Sequence, residues 1–191
     1  MQVMAKLIYS AIASLDGYVA DESGGFGWSM PDEEVHAFVN DLERSAGTYL
    51  YGRRMYEVMK VWERDEMLEG EPSQLRDYAE IWRAAEKIVY SRSLDDVATS
   101  RTRLERTFDP GKIQALKESQ ERDIGIGGPE LAAQALNAGL IDELHLLLVP
   151  VAVGAGKPAL SSQDHVALEL LDQRSFGNGT IYLRYRINIS G

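Results

Sequence analysis

The sequence predicts an α/β protein: a mixed sheet with helices on both faces, closed by an antiparallel hairpin at its C-terminal end. Three observations carry this. Short β-rich runs alternate with runs of helical periodicity from residue 5 to residue 138. The last apolar run, "TIYLRYRIN" (180–188), follows Asn178-Gly179, a dipeptide that favours a tight hairpin turn. The composition, 45% hydrophobic and 26% charged, is that of an ordinary soluble globular chain. A length of 191 residues fits one domain, 1–191, able to bury a sizeable core.

The elements follow in order. "AKLIYSAIAS" (5–14) alternates as a strand does, and "LDGYVADESGGFGW" (15–28) reads as a turn and a glycine-rich loop. From Asp32, the apolar residues Val35, Phe38, Val39, Leu42 and Ala46 mark one helical face, with Pro31 suited to a first turn. "TYLY" (48–51) is a short buried strand, and "GRRMYEVMKVW" turns into a helix. "SQLRDYAEIWRAAE" (73–86) is a helix and "KIVYS" (87–91) a strand. Residues 92–108 are irregular, with room for short strands. "PGKIQALKESQER" is a helix, "DIGI" a strand stub, and "PELAAQALNA" a helix that ends at Gly139, a good left-handed cap. "ELHLLLVPVAV" (143–153) is a strand in which Pro150 predicts a sheet edge or a bulge.

Several function classes are excluded. A net charge of −10 argues against a general nucleic-acid binder, which needs a positive face for phosphates. No apolar run approaches the roughly 18 residues of a membrane span. The first twenty residues lack the pattern of a signal peptide, and there is no cysteine. Together these lead us to expect a cytoplasmic protein. "GIGGPE" has Glu130 where a G-x-G-x-x-G fingerprint needs its last glycine, and "GAGKP" has Pro158 where a P-loop needs Ser or Thr. His36, His145 and His165 are isolated and read as surface or packing residues, so no metal site is expected.

Three strand-to-turn junctions remain: Gly52-Arg53-Arg54, Ser91-Arg92 and Gly127-Gly128. Glycine lets a backbone approach an anion, and free N–H groups at a helix start point toward it. Arginine adds bidentate hydrogen bonds to phosphate. Each junction alone is also a plain tight turn or a solvated arginine. Three in one α/β chain point to a phosphate-rich small molecule.

The chain resembles the dihydrofolate reductase-like superfamily, and within it proteins related to the reductase domain of riboflavin biosynthesis. The resemblance rests on "SLDGYVA" (14–20), "YGRRMYEVM" (51–59), "IVYSRSL" (88–94), "IGGPELAAQAL" (126–136) and "GLIDELHLLLVPVAVGAGKPAL" (139–160), in that order and spacing. It implies a three-layer fold of this type and NADPH as hydride donor. The nicotinamide would lie near Ala11, Ile12 and Asp16-Gly17. Phosphates would meet Gly52, Arg53 and Arg54. The adenosine ribose and its 2′-phosphate would lie near Ser91 and Arg92. The pyrophosphate would rest on Gly127 and Gly128, flanked by Pro129 and Leu131.

The same resemblance implies an acid on the first helix, here Glu34, with Asp32 and Glu33 as competitors; "DEE" is equally an acidic first turn that suits the helix dipole. Asp16 is a second candidate acid and equally a turn residue. Phe26 and Trp28 would wall the substrate side, whereas Trp62 reads as core. Three departures concern the substrate: Ile126 stands where the riboflavin reductases carry Glu, their Asp-Asn-Pro segment is missing, and a Lys of their first strand is replaced near Ser10. The expected activity is therefore NADPH-dependent reduction of a pterin-like or aminopyrimidine-like small molecule. The alternatives are the riboflavin-pathway 5-amino-6-(5-phosphoribosylamino)uracil reductase and a non-catalytic NADPH sensor. The related reductase domains also imply a homodimer through the C-terminal strands.

Overall fold

A computed structural model of the chain describes residues 4–188. Eight strands form one sheet: β1 (Leu7–Ser14), β3 (Ala46–Gly52), β4 (Glu86–Tyr90), β5 (Thr102–Glu105), β6 (Asp123–Gly127), β7 (Glu143–Val149), β9 (Ala167–Ser175) and β10 (Ile181–Asn188). Their order is β5-β4-β3-β6-β1-β7-β10-β9. From β5 to β7 every pair is parallel; β7–β10 and β10–β9 are antiparallel. Two short strands, β2 (Tyr18–Asp21) and β8 (Gly156–Pro158), pair apart from this sheet. Five helices connect the strands: α1 (Glu33–Glu43), α2 (Arg53–Met59), α3 (Ser73–Ala84), α4 (Pro110–Ser119) and α5 (Pro129–Asn137).

Strand alternation sorts the core into two faces. Leu50 and Ile88 point with Leu7, Tyr9, Ile124 and Ile126 toward Ile113 of α4 and Leu131, Ala132 and Ala135 of α5. Their neighbours Tyr49, Tyr51 and Val89 point the other way, onto Tyr56 of α2 and Trp82 of α3. Leu147 and Tyr182 share that second face with Val35 of α1. Helices on both faces of a mixed sheet are thus what the alternation of β-rich and helical runs predicts.

Helix ends follow local chemistry. Asp32 caps α1 by accepting the Val35 N–H at 3.0 Å, and Asp109 caps α4 through the Gly111 N–H at 2.9 Å. Gly139, at φ 67°, follows the end of α5, as its position predicts.

Four expectations are corrected. Ala46 belongs to β3, because α1 ends at Glu43. Pro31 lies before the Asp32 cap and not in the first turn. The loop at 15–28 contains β2. Strand β7 is neither at an edge nor bulged by its proline: it lies between β1 and β10, and ends at Val149, before Pro150 is reached. Lacking an N–H, Pro150 cannot extend the ladder.

Candidate active site

The site is built by strands of unequal length. β1 pairs with β6 from Leu7↔Ile124 to Tyr9↔Ile126, and there the ladder stops. On its other side β1 stays paired with β7 as far as Ser14↔Val149. β6 leaves the sheet at Gly127, so Ser10 to Ser14 have one free edge. The connections out of β1 and β6 run on opposite faces, through α1 and α5 respectively. A crevice at the carboxyl ends of parallel strands, where connections diverge, is the usual ligand position in such sheets. Ala11 and Ile12 line its β1 wall, half-buried.

The three junctions meet at this end. Register places Tyr51 beside Gly127 and Gly52 beside Tyr90. Gly52 opens α2 with Arg53 and Arg54 as its first residues. The Arg53 guanidinium donates to the Ser93 hydroxyl at 2.9 Å, joining the first junction to the second. The Ser91 hydroxyl accepts the N–H groups of Ser93 and Leu94 at 3.2 and 3.1 Å, which fixes that turn. Arg92 beside it is exposed.

Gly127 and Gly128 are glycines for different reasons. A Cβ on Gly127 would come within 2.9 Å of the Tyr51 ring. Gly128 has φ 93° and meets only the Met55 Cβ, at 3.4 Å. Pro129 opens α5, and Leu131 is part of the core.

Acids and cations around these turns form pairs. Glu130 accepts from Lys157 Nζ at 2.6 Å and lies 4.0 Å from Arg54, which is otherwise exposed. The Lys157 hydrogen bond holds the Glu130 pKa below its ordinary value. Lys157, on β8, and Arg106, which donates to the Ser91 carbonyl at 3.2 Å, were not read from the sequence as site residues. Lys157 lies within "GAGKP" but was not singled out there, and Arg106 lies in no motif; the fold brings both to the junctions.

The two acids singled out from the sequence are both engaged. Asp16 accepts the Val153 N–H at 3.1 Å and the Gly154 N–H at 2.8 Å, fastening the loop after β1 to the loop after β7. Hydrogen bonds from the Ser14 hydroxyl and the Gly154 N–H lower its pKa. Gly17, at φ 92°, turns the chain into β2. Glu34 accepts from Arg174 and from the Gly177 N–H, each at 3.3 Å, and so ties α1 to the β9–β10 hairpin. Asp32, its competitor, is committed to the cap.

The aromatic candidates divide. Phe26 is exposed, whereas Trp28 is half-buried with its indole N–H buried and unpartnered. Trp62 packs on Tyr78 at 4.8 Å, as a core residue would. Exposed Leu15 and Val151 are joined by a backbone hydrogen bond of 2.8 Å where β1 and β7 end. Among the described residues, no three His, Asp or Glu side chains gather as a metal site, and no helix is long and apolar enough to cross a membrane.

The residues present fit a dinucleotide. Two helices start here, α2 at Arg53 and α5 at Pro129, and the first-turn N–H groups of a helix, the proline's missing one aside, have no partner within the helix. Three arginines, 53, 54 and 92, stand at the same end of the sheet, and Gly128 carries no side chain over its turn.

This strand order, with helices on both faces, is a dihydrofolate reductase-like α/β fold. Residues 5–182 match the family model of the RibD C-terminal domain, and the chain belongs to that family. It is 25% identical over 187 residues to the uncharacterized protein YyaP of Bacillus subtilis (strain 168), covering 96% of this chain and 95% of that one. Among solved structures it resembles a pyrimidine reductase-like protein from Corynebacterium diphtheriae, with a TM-score of 0.66 and 19% identity, over 97% of this chain and 93% of that one. It also resembles dihydrofolate reductase from Enterococcus faecalis complexed with NADP(H), with a TM-score of 0.62 and 16% identity over 99% of both chains. A diaminohydroxyphosphoribosylaminopyrimidine deaminase/5-amino-6-(5-phosphoribosylamino)uracil reductase from Thermotoga maritima gives a TM-score of 0.65 at 13% identity, over 96% of this chain but 56% of that one.

Proposed function

We propose that this protein is an NADPH-dependent reductase of a pterin-like or aminopyrimidine-like small molecule. The observation that carries the reading is the crevice where β6 leaves β1, with the Gly52, Ser91 and Gly127-Gly128 turns beside it. Arg53, Arg54 and Arg92 would hold phosphates, with help from the N–H groups that open α2 and α5. Ala11 and Ile12 would wall the reacting ring. When bound, NADPH supplies a hydride; the protein's share is to orient two rings and exclude water. Phe26 and Trp28 would give an aromatic substrate an apolar wall.

Titration of NADPH against the protein's fluorescence tests the cofactor. Oxidation of bound NADPH on addition of 5-amino-6-(5-phosphoribosylamino)uracil or dihydrofolate tests the reaction. Tight binding without oxidation by either compound would favour the sensor reading instead.

A further inference from the structure

The ion pair at Glu130 joins the two walls of the crevice. Along this edge of the sheet the strands run β3, β6, β1. β3 leads into α2 and so to Arg54, and β6 leads through Gly127 and Gly128 into α5, where Glu130 is the second residue. The β1 side carries Lys157. β1 turns at Gly17 into β2, β2 pairs with β8 so that Ala20 lies opposite Lys157, and the Ala159 N–H donates to the Gly17 carbonyl at 2.8 Å. Asp16 holds Val153 and Gly154, just ahead of β8. One carboxylate from the β6 side is thus flanked by a cation from each neighbouring strand. Both cations address the same oxygen: Lys157 Nζ lies 2.6 Å and Arg54 Nη1 4.0 Å from Glu130 Oε1.

The backbone beneath Lys157 is closely fitted. A Cβ on its neighbour Gly156 would come 2.0 Å from the Ala20 carbonyl oxygen, so β8 lies tight against β2. The Lys157 side chain is 30% exposed, whereas those of Glu130 and Arg54 are 73% and 85% exposed. An ion pair with so exposed an acid adds little to stability and opens easily. A carboxylate between two cations also offers them what a phosphate offers, negative charge on hydrogen-bonding oxygens.

We propose that Lys157 is a ligand of the dinucleotide pyrophosphate, and that Glu130 is a built-in stand-in for it, occupying Lys157 until the phosphate displaces the carboxylate. The inference rests on the reading of the crevice as a dinucleotide site. A pyrophosphate resting on Gly127 and Gly128, just ahead of Glu130, lies between the same two cations. Lys157 reaches it from the β1 wall and Arg54 from the α2 side. Binding then exchanges one ion pair for another, and the displaced carboxylate turns to water. The pyrophosphate is common to NADPH and NADH, so Lys157 serves both alike, unlike a residue that meets the 2′-phosphate.

Dissociation constants of NADPH and NADH, from fluorescence titration of the intact chain, test this in wild type, Lys157→Met, Lys157→Arg, Glu130→Gln and the double variant Glu130→Gln/Lys157→Met. Urea unfolding is measured first and is expected to stay near wild type in each variant, because the pair is so exposed. Lys157→Met should weaken both cofactors alike, by roughly tenfold, and Lys157→Arg should restore most of the affinity. Glu130→Gln should tighten both by about threefold, the strength of the exposed pair it removes. That gain should vanish when Glu130→Gln is added to Lys157→Met. A gain of equal size in both backgrounds would mean that Glu130 repels the phosphates from a distance without occupying Lys157, and overturns the proposal. So does unchanged affinity in Lys157→Met, or a loss confined to NADPH; in either case binding of NADPH by wild type leaves the dinucleotide reading intact. A wild type that binds neither cofactor removes that reading, and the stand-in with it.

Discussion

Gly128 and Gly127 show why one glycine pair needs two explanations. Gly127 is excluded from carrying a Cβ by the Tyr51 ring, whereas a Cβ on Gly128 would meet only the Met55 Cβ, at 3.4 Å, but the backbone is fixed at φ 93°. The sequence marks both as a close backbone approach and cannot separate them, since the Tyr51 ring reaches Gly127 only through strand register. A side chain on Gly128 strains the backbone even if nothing is bound. Gly128→Ala is therefore expected to cost about 1–3 kcal/mol of stability, measured by urea unfolding without ligand. NADPH affinity of the folded variant then reports on the cradle alone, and normal affinity would reduce Gly128 to a turn residue. Arg92 offers a cleaner probe because it is exposed. Arg92→Ala should weaken NADPH more than NADH, by about 1.5–3 kcal/mol if it meets the 2′-phosphate. Equal losses for the two cofactors, measured as dissociation constants, would remove that assignment.

Helices were more legible than strands. The α1 face was readable from Val35, Phe38, Val39 and Leu42, and the α5 stop from Gly139. Three strands were not readable. β2 and β8 run only 4 and 3 residues and pair with each other across most of the chain. β9 is exposed on both faces, so "ALELLDQRS" has no buried side to impose alternation. The site followed the same rule. Its turns were visible as local motifs, while Lys157 and Arg106 owe their places to packing between distant segments. Capping matters at this scale too. Asp32 fixes where α1 starts, and hence where Glu34 reaches the hairpin. Asp32→Ala is expected to cost about 1 kcal/mol in thermal unfolding. A loss near zero would mean that the Val35 N–H finds water as readily as the cap.

One side of the sheet is held at its foot by Glu143. Its carboxylate accepts from Lys6 at 2.7 Å, from Arg184 at 2.8 and 3.1 Å, and pairs with His145 at 3.2 Å. These contacts join β1, β7 and β10. Burial alone would raise the Glu143 pKa, but the hydrogen bonds from Arg184, Lys6 and His145 outweigh it and bring it to about 2. The folded pKa thus lies below the ordinary 4.5. The stability it contributes is present above 4.5 and is lost as pH falls toward 2. Glu143→Gln should destabilise the protein by about 2–3 kcal/mol at neutral pH, screened by the half-exposed Lys6 and Arg184, and should blunt the acid loss. Denaturant melts at neutral and acid pH check both; parallel curves for the two proteins would refute the assignment. At this scale we also propose a homodimer. The edge strand β9 leaves Leu168 and Leu170 exposed, and Ile181 of β10 is exposed as well. Sedimentation at micromolar concentration should give twice 21.3 kDa, and a monomer alone would reject it.

The strand order has a consequence for how the chain is made. β1 is synthesised first, yet its only neighbours in the sheet are β6 and β7. Neither exists until residue 123 has been added. Until then Leu7 and Ala13, fully buried in the finished protein, have no strand beside them. β3, β4 and β5 can assemble among themselves earlier, because they are adjacent both in sequence and in space. A nascent chain halted before β6 would thus hold a small three-stranded sheet and a dangling apolar N-terminal segment, a natural target for a chaperone. The crevice cannot form before β6 stands between β3 and β1, and β7 on the other side of β1 comes later still in the chain.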